Sequence, residues 1–151
     1  MTRREAATEN FFKGYNCAQS IVLAFEDILP VDKAQLSMLA SSFGGGMGRL
    51  REVCGSVSGM FMAVGLLYGY EGPETGPVKA EHYARIQELA GRFEAMHGSI
   101  VCRELLGLSV RHDVSVPEAR TKEYYRKRPC AELIGDAADI LEQYIREHPL
   151  P

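Results

Sequence analysis

The uncharged run over residues 53–70 constrains the fold of this chain more than any other segment. It is 18 residues long and apolar on all sides when drawn as a helix, so we expect other helices to pack around it. Gly55, Gly59 and Ala63 recur every four residues and form a smooth ridge where a neighbouring backbone can approach closely. A membrane span is disfavoured, because it needs about 20 predominantly apolar residues and this run includes four glycines and two serines.

Elsewhere the apolar residues recur at steps of three and four, which is the spacing of helices. Residues 78–97 carry one such stripe, and residues 133–145 repeat the pattern. Alternating β-branched runs and the Asn-Gly or Asp-Gly turns of hairpins are missing from the sequence. The sequence therefore predicts an all-α fold. We expect residues 1–151 to form a single-domain bundle of about six or seven helices around the central helix at about 53–70.

Capping residues and glycine-rich breaks place the other helices along the chain. Three starts are predicted where a small polar residue is followed three positions later by Gln or Glu. These pairs are Asn16 with Gln19, Asp32 with Gln35, and Ser115 with Glu118. Further helices are expected to open near Ser99 and at Pro129, and glycine-rich breaks are expected at residues 44–48 and 72–77.

The overall charge limits the classes of partner. Seventeen Lys and Arg residues against 20 Asp and Glu give a net charge of −3, so no basic surplus exists to neutralise nucleic-acid phosphates. Glu5 and Glu9 interrupt what would be the apolar core of an export signal. We therefore expect a cytoplasmic protein with reduced thiols, without membrane insertion or a nucleic-acid partner. Association into a homodimer is compatible with a small apolar bundle.

Four cysteines are the candidate catalytic residues: Cys17, Cys54, Cys102 and Cys130. No CxxC pair occurs, which excludes local zinc-ribbon spacing, the usual iron–sulfur runs and a thioredoxin-type motif. Each cysteine lies in the first turn of a predicted helix, where unpaired N–H groups and the helix dipole favour a thiolate. Four arginines near them in sequence act in the same direction: Arg49, Arg51, Arg103 and Arg128. The alternative is that each cysteine is a small buried hydrophobe.

Two other patterns suggest sites but have simpler interpretations. The glycine-rich residues 44–49 fit neither the GxGxxG nor the GxxxxGK[ST] nucleotide motif. We interpret them as a tight helix crossing that delivers Cys54 and leaves Arg49 available to a thiolate or an anion. Glu94 and His97 form one Glu-x-x-His motif, whereas a di-iron site needs two such motifs and two further glutamates. A solvent-facing pair near a helix end is therefore expected.

The cysteines together with their neighbours bring out a family resemblance. The matching segments are GYNCAQ (14–19), FGGGMGR (43–49), EVCGSVSG (52–59), CRELLG (102–107) and RPC (128–130). Over about residues 11–140 the chain resembles the family known by its signature as C-GCAxxG-C-C and described as redox-active. Ser56 replaces the alanine of the signature, a change expected to have little effect. The resemblance implies redox chemistry at the four cysteines, but it specifies neither a substrate nor a cofactor.

Three functional hypotheses follow from these patterns. In the leading one, the four thiols converge and cycle between dithiol and disulfide through a mixed disulfide with an unidentified redox partner or small-molecule substrate. Cys54 and Cys102 are our first choice for the working pair, although four cysteines allow three connectivities. In the second hypothesis the thiolates ligate a metal ion or an iron–sulfur cluster. In the third, the chain is a helical interaction module whose cysteines only pack.

Overall fold

The computed structural model describes residues 1–73 and 76–151, and its elements are helical, as the sequence predicts. The α-helices are α1 (Arg3–Phe12), α2 (Cys17–Ala24), α3 (Lys33–Ala40), α4 (Gly44–Met47), α5 (Gly55–Tyr68), α6 (Pro77–His97), α7 (Cys102–Leu105), α8 (Lys122–Lys127) and α9 (Cys130–Glu147). Short 3₁₀ turns occupy Glu26–Ile28 and Ser41–Phe43. The described residues form nine α-helices rather than the expected six or seven, and three of them, α4, α7 and α8, are shorter than two turns. The middle of the predicted loop at 72–77 lies outside the described residues.

Helix α5 is central only in its first half. Residues 55–60 are buried, together with Ala63 and Val64, whereas residues 65–68 are partly exposed. The predicted ridge is confirmed, and the neighbour that approaches it is α2: a Cβ placed on Gly59 would lie 2.8 Å from the carbonyl oxygen of Ala18. The expectation of a helix buried on every side is wrong for the last turns, which stay partly exposed even where Tyr68 packs against Tyr144 of α9.

Helix α9 completes the core. Its buried positions recur along one face and include Leu133, Ile134, Ala137 and Leu141, so it packs against α1, α2 and α5. None of the helices in the described parts of the chain is long and apolar enough to cross a membrane.

The predicted caps are correct in two places and wrong in a third. Asn16 and Gln19 form a reciprocal capping box, and the Asp32 carboxylate accepts the N–H of Gln35. The helix predicted at Ser115 is absent, because α8 begins seven residues later and is capped by Thr121. The intervening segment is non-helical and makes tertiary contacts of its own. Its contacts with the cysteine region are described below.

Candidate functional site: a four-cysteine cavity

The four cysteines lie at helix N-termini and line a single cavity. Cys17, Cys102 and Cys130 are the first residues of α2, α7 and α9, and Cys54 is the N-cap of α5. All four carry free thiols. They line one cavity of about 260 Å³. The convergence expected from the sequence is therefore present, although the separations in sequence gave no indication of which thiols would be neighbours.

The glycine-rich segment that follows α3 forms the tight crossing that the sequence predicts. Gly45, Gly46 and Gly48 have positive φ angles, and so do the non-glycine residues Met47, Arg49 and Arg51. Positive φ is unfavourable for residues with a Cβ. At Gly46 a Cβ would lie 2.6 Å from the Cβ of Cys102, so this glycine permits direct contact between the loop and the cysteine.

A short antiparallel bridge positions Cys54 relative to Cys102. Val53 pairs with Val101, the Cys54 N–H donates to the carbonyl of Ile100 at 2.8 Å, and the Cys102 N–H donates to the carbonyl of Glu52 at 2.6 Å. These contacts hold the start of α7 beside the start of α5. Two helix N-termini are thereby brought to the same wall of the cavity.

Arg51, rather than Arg49, contacts a thiol. Its side chain is only 4% exposed, and Nη1 donates to the Cys102 sulfur at 3.6 Å. The other end of the guanidinium donates to Asp113 at 2.9 Å. Arg49 shares that carboxylate at 3.2 Å and donates to the carbonyl of Val114 at 2.7 Å. Asp113 therefore holds the non-helical segment before α8 against the glycine-rich loop, which explains why the predicted Ser115 helix does not form.

Arg120 is a cavity residue that sequence reasoning missed. It donates to the carbonyls of Phe11 and Tyr15, at 3.0 and 3.1 Å, and its guanidinium stacks over the Phe11 ring at 4.3 Å from the centroid. Nothing near Arg120 in the sequence marks it, because its partners belong to α1 and the loop that follows. Arg128, which the sequence analysis placed beside Cys130, also lines the cavity. Arg103 instead pairs with Glu52 at 3.2 Å.

Cys130 is the cysteine whose environment favours the thiolate. Hydrogen bonding from the Cys17 side chain lowers the pKa of Cys130 and outweighs the effect of burial. Positive charge from Arg128, Arg120 and Arg51 lowers it further. The same interaction raises the pKa of Cys17 well above its usual value, because Cys17 holds its proton as the donor and burial adds to the effect. The pKa values of the two thiols thus shift in opposite directions.

The prediction that every helix N-terminus here favours a thiolate is wrong for the other cysteines. Burial raises the pKa of Cys54 from 9.0 to about 11. Burial also raises the pKa of Cys102, against the opposing effect of the Arg51 guanidinium. Burial destabilises the thiolate by removing its hydration, and this effect is larger than the stabilisation by the helix dipole. All four thiols share the position at a helix start, and the Cys17–Cys130 interaction, burial and charged neighbours together distinguish their pKa values.

The pKa of Cys54 predicts a pH-dependent stability. As the pH rises from about 9 to about 11 the unfolded chain loses this proton before the folded chain does, so the free energy of unfolding falls. A rise from 9.0 to about 11 corresponds to about 3 kcal/mol. Urea unfolding under reducing conditions should therefore show a steeper loss of stability across this range for the wild type than for Cys54→Ala. Parallel curves would contradict the assignment.

His97 is turned towards the protein interior, so the expectation of a solvent-facing pair with Glu94 is wrong for the histidine. Its Nε2 lies 2.9 Å from Oδ2 of Asp136, a residue that also pairs with Arg4. Glu94 remains exposed. The histidine is drawn inward because α6 packs beside α9, which carries Asp136. Within residues 1–73 and 76–151, no group of three or more His, Cys, Asp or Glu side chains is arranged to hold a metal ion.

The chain is an all-helical thiol protein whose free cysteines lie at the starts of separate helices around one cavity. A family model narrows this description further. The chain belongs to the family described as "Putative redox-active protein (C_GCAxxG_C_C)", whose model matches residues 15–144. The match includes all four cysteines and confirms the resemblance seen in the sequence. No curated protein and no solved structure matches the chain.

Proposed function

We propose that this protein exchanges electrons with disulfides through Cys17 and Cys130, with Cys130 as the attacking thiolate and Cys17 as the resolving thiol. The observation that carries the proposal is the position of the two side chains: Cys17 and Cys130 begin α2 and α9, which pack together, and both line the cavity with Arg120 and Arg128. Hydrogen bonding between the two thiols lowers the pKa of Cys130 and raises that of Cys17. A thiolate is the nucleophile in thiol–disulfide exchange, so the same contact selects the order in which the two cysteines act.

The exchange proceeds in two balanced steps. The Cys130 thiolate attacks one sulfur of a disulfide partner, forming a mixed disulfide and releasing the first partner thiolate. Cys17 then gives up its proton and attacks the Cys130 sulfur, so an internal disulfide forms and the second partner thiolate leaves. Counted from the dithiol, the protein loses two electrons and two protons, one proton when Cys130 ionises and one from Cys17, and the two partner thiolates take up two protons from the medium to become thiols. The reverse sequence returns the protein to the dithiol state.

The first step prepares the second. Interaction with Cys130 is the largest cause of the raised pKa of Cys17. Once Cys130 is part of a neutral mixed disulfide, that cause is removed and the pKa of Cys17 falls. Cys17 is thereby activated as a nucleophile only after Cys130 has reacted. This order limits wasteful attack by Cys17 on other electrophiles.

Bridge geometry disfavours our first choice of pair, Cys54 with Cys102. Each residue follows a bridge residue, Val53 or Val101, and the two segments run antiparallel. Cys54 and Cys102 are therefore displaced from the bridge in opposite directions along the segments. Ideal strand spacing separates two such Cα atoms by about 8 Å, whereas a disulfide needs less than about 7 Å. We therefore assign Cys54 and Cys102 to the wall of the cavity and leave the exchange to Cys17 and Cys130.

Two substitutions of Cys17 test this assignment. Cys17→Ala removes the hydrogen-bond donor, so the pKa of Cys130 should rise, whereas Cys17→Ser keeps a hydroxyl donor and should raise it less. The rate at which iodoacetamide labels Cys130, measured across pH by peptide mass spectrometry, reports this pKa directly. Identical pH profiles for wild type and Cys17→Ala would show that Cys17 does not activate Cys130.

A further inference from the structure

The charged residues that line the cavity all have the same sign. Four arginines contribute to its walls: Arg49, Arg51, Arg120 and Arg128. No Asp, Glu or Lys side chain is among the lining residues in the described parts of the chain. The side-chain charge on the cavity walls is therefore positive, and the carboxylates that pair with these arginines do not line the cavity.

The counter-charges cover only part of this positive charge. Asp113 is shared by Arg49 and Arg51, at 3.2 and 2.9 Å. Arg128 pairs with Glu118. The partners of Arg120 are neutral: two main-chain carbonyls, the Tyr125 hydroxyl and aromatic rings. Within residues 1–73 and 76–151 no carboxylate forms an ion pair with it. Four guanidinium groups against two carboxylates leave a surplus, and the surplus remains positive after one thiol ionises.

From this surplus we infer that the cavity takes a small anionic disulfide, a low-molecular-weight molecule with carboxylate groups that Arg120 and Arg128 attract towards Cys130. The inference rests on the proposed function and adds the class of substrate to it. Arginine suits this role because its planar fork binds carboxylates and stays charged. Exchange would convert the bound disulfide into two anionic thiols while Cys17 and Cys130 become joined.

The dimensions of the site favour a small molecule. A volume of about 260 Å³ lies just below the usual range for ligand pockets, roughly 300–1,000 Å³. Cys130 is only 8% exposed, so a disulfide fixed within a folded protein would have difficulty reaching its sulfur. Attraction by a cleft of one charge sign also raises the local concentration of an oppositely charged reactant.

Three model disulfides that differ in charge test the inference: dithiodipropionate, which is anionic, hydroxyethyl disulfide, which is neutral, and cystamine, which is cationic. The reduced protein is mixed with each at low ionic strength, and internal disulfide formation is followed by mass spectrometry. We expect the rate to fall in that order, with the anion at least about tenfold faster than the cation and the ratio narrowing as salt is added. Equal rates, or a faster cation, would overturn the inference and leave thiol exchange standing. No reaction with any of the three would instead overturn the proposed function.

Substitutions locate the attraction. Arg120→Gln should reduce the ratio of the rate with the anionic disulfide to the rate with the cationic one at least about threefold. Arg120→Lys keeps the charge and should preserve most of this ratio. Arg146→Gln is the matched control, because Arg146 pairs with Glu142 on exposed α9 surface and does not line the cavity. Arg120 also lowers the pKa of Cys130, so the ratio, rather than a single rate, is the informative quantity. An unchanged ratio in a folded Arg120→Gln protein would show that Arg120 is not the binding group.

Discussion

Cys130→Ser is expected to slow the first attack on a neutral disulfide at pH 7 by at least about tenfold. It should also abolish the internal disulfide, because Cys17 has no Cys130 sulfur to join. Cys130 is the cysteine with a lowered pKa, whereas the pKa of each of the other three is raised. Each unit of pKa changes the thiolate fraction about tenfold when the pKa is above the pH. With a pKa of about 11, Cys54 is a thiolate in roughly one molecule in ten thousand at pH 7. The reaction with hydroxyethyl disulfide, followed by mass, measures the loss.

Cys17→Ser is the control for this prediction. The variant retains the attacking thiolate and a hydroxyl donor to it, but it has no resolving thiol. It should therefore react and accumulate the mixed disulfide on Cys130, visible as an added half of hydroxyethyl disulfide. If Cys130→Ser reacts within about twofold of the wild type, or if Cys17→Ser traps no adduct on Cys130, the assigned order of attack is wrong.

Gly46→Ala is expected to lower the free energy of unfolding by about 3 kcal/mol or more. Two effects add at this position. Its φ of 70° is unfavourable for alanine, which costs about 1–2 kcal/mol. The new Cβ would also lie 2.7 Å from the backbone nitrogen of Glu52 and 2.6 Å from the Cβ of Cys102. Such overpacking costs about 1–3 kcal/mol, because backbone atoms cannot move aside as a flexible side chain can. Equilibrium unfolding in urea measures the change.

Gly48→Ala separates the two effects. Gly48 has a similar φ of 57°, but the nearest atom to its added Cβ would be 3.8 Å away. Only the conformational cost applies there, so we expect a loss of about 1–2 kcal/mol. Equal losses at the two positions would contradict the close packing of Gly46 on Cys102. A loss confined to Gly46→Ala would show that the loop tolerates positive φ and that the packing accounts for the cost.

Local patterns predicted much of this structure. The helical spacing of apolar residues indicated an all-α fold, and the capping box of Asn16 with Gln19 placed the start of α2 at Cys17. Such signals are local because a cap and its helix are covalently adjacent. They placed each cysteine at or next to a helix start, and the glycine spacing in α5 predicted the close approach that α2 makes.

Tertiary contacts determined what the sequence did not predict. The segment before α8 carries a plausible cap at Ser115, yet the ion pair of Asp113 with Arg51 holds the chain in a different course. Arg120 reaches carbonyls more than 100 positions away in sequence. The thiol pKa values likewise depend on burial and on the proximity of Cys17 to Cys130. Both are defined only when α2 and α9 are packed together.

Disulfide mapping of protein purified without oxygen and then mildly oxidised decides whether Cys17 and Cys130 form the working pair. The intact mass should fall by two hydrogens and return on reduction, and peptide analysis should find Cys17 joined to Cys130. A link between Cys54 and Cys102 would contradict the assigned pair. A mass that keeps all four thiols after oxidation would support cysteines that only pack, and a metal-sized adduct lost on denaturation would support metal binding. Either of those two results would exclude exchange through Cys17 and Cys130.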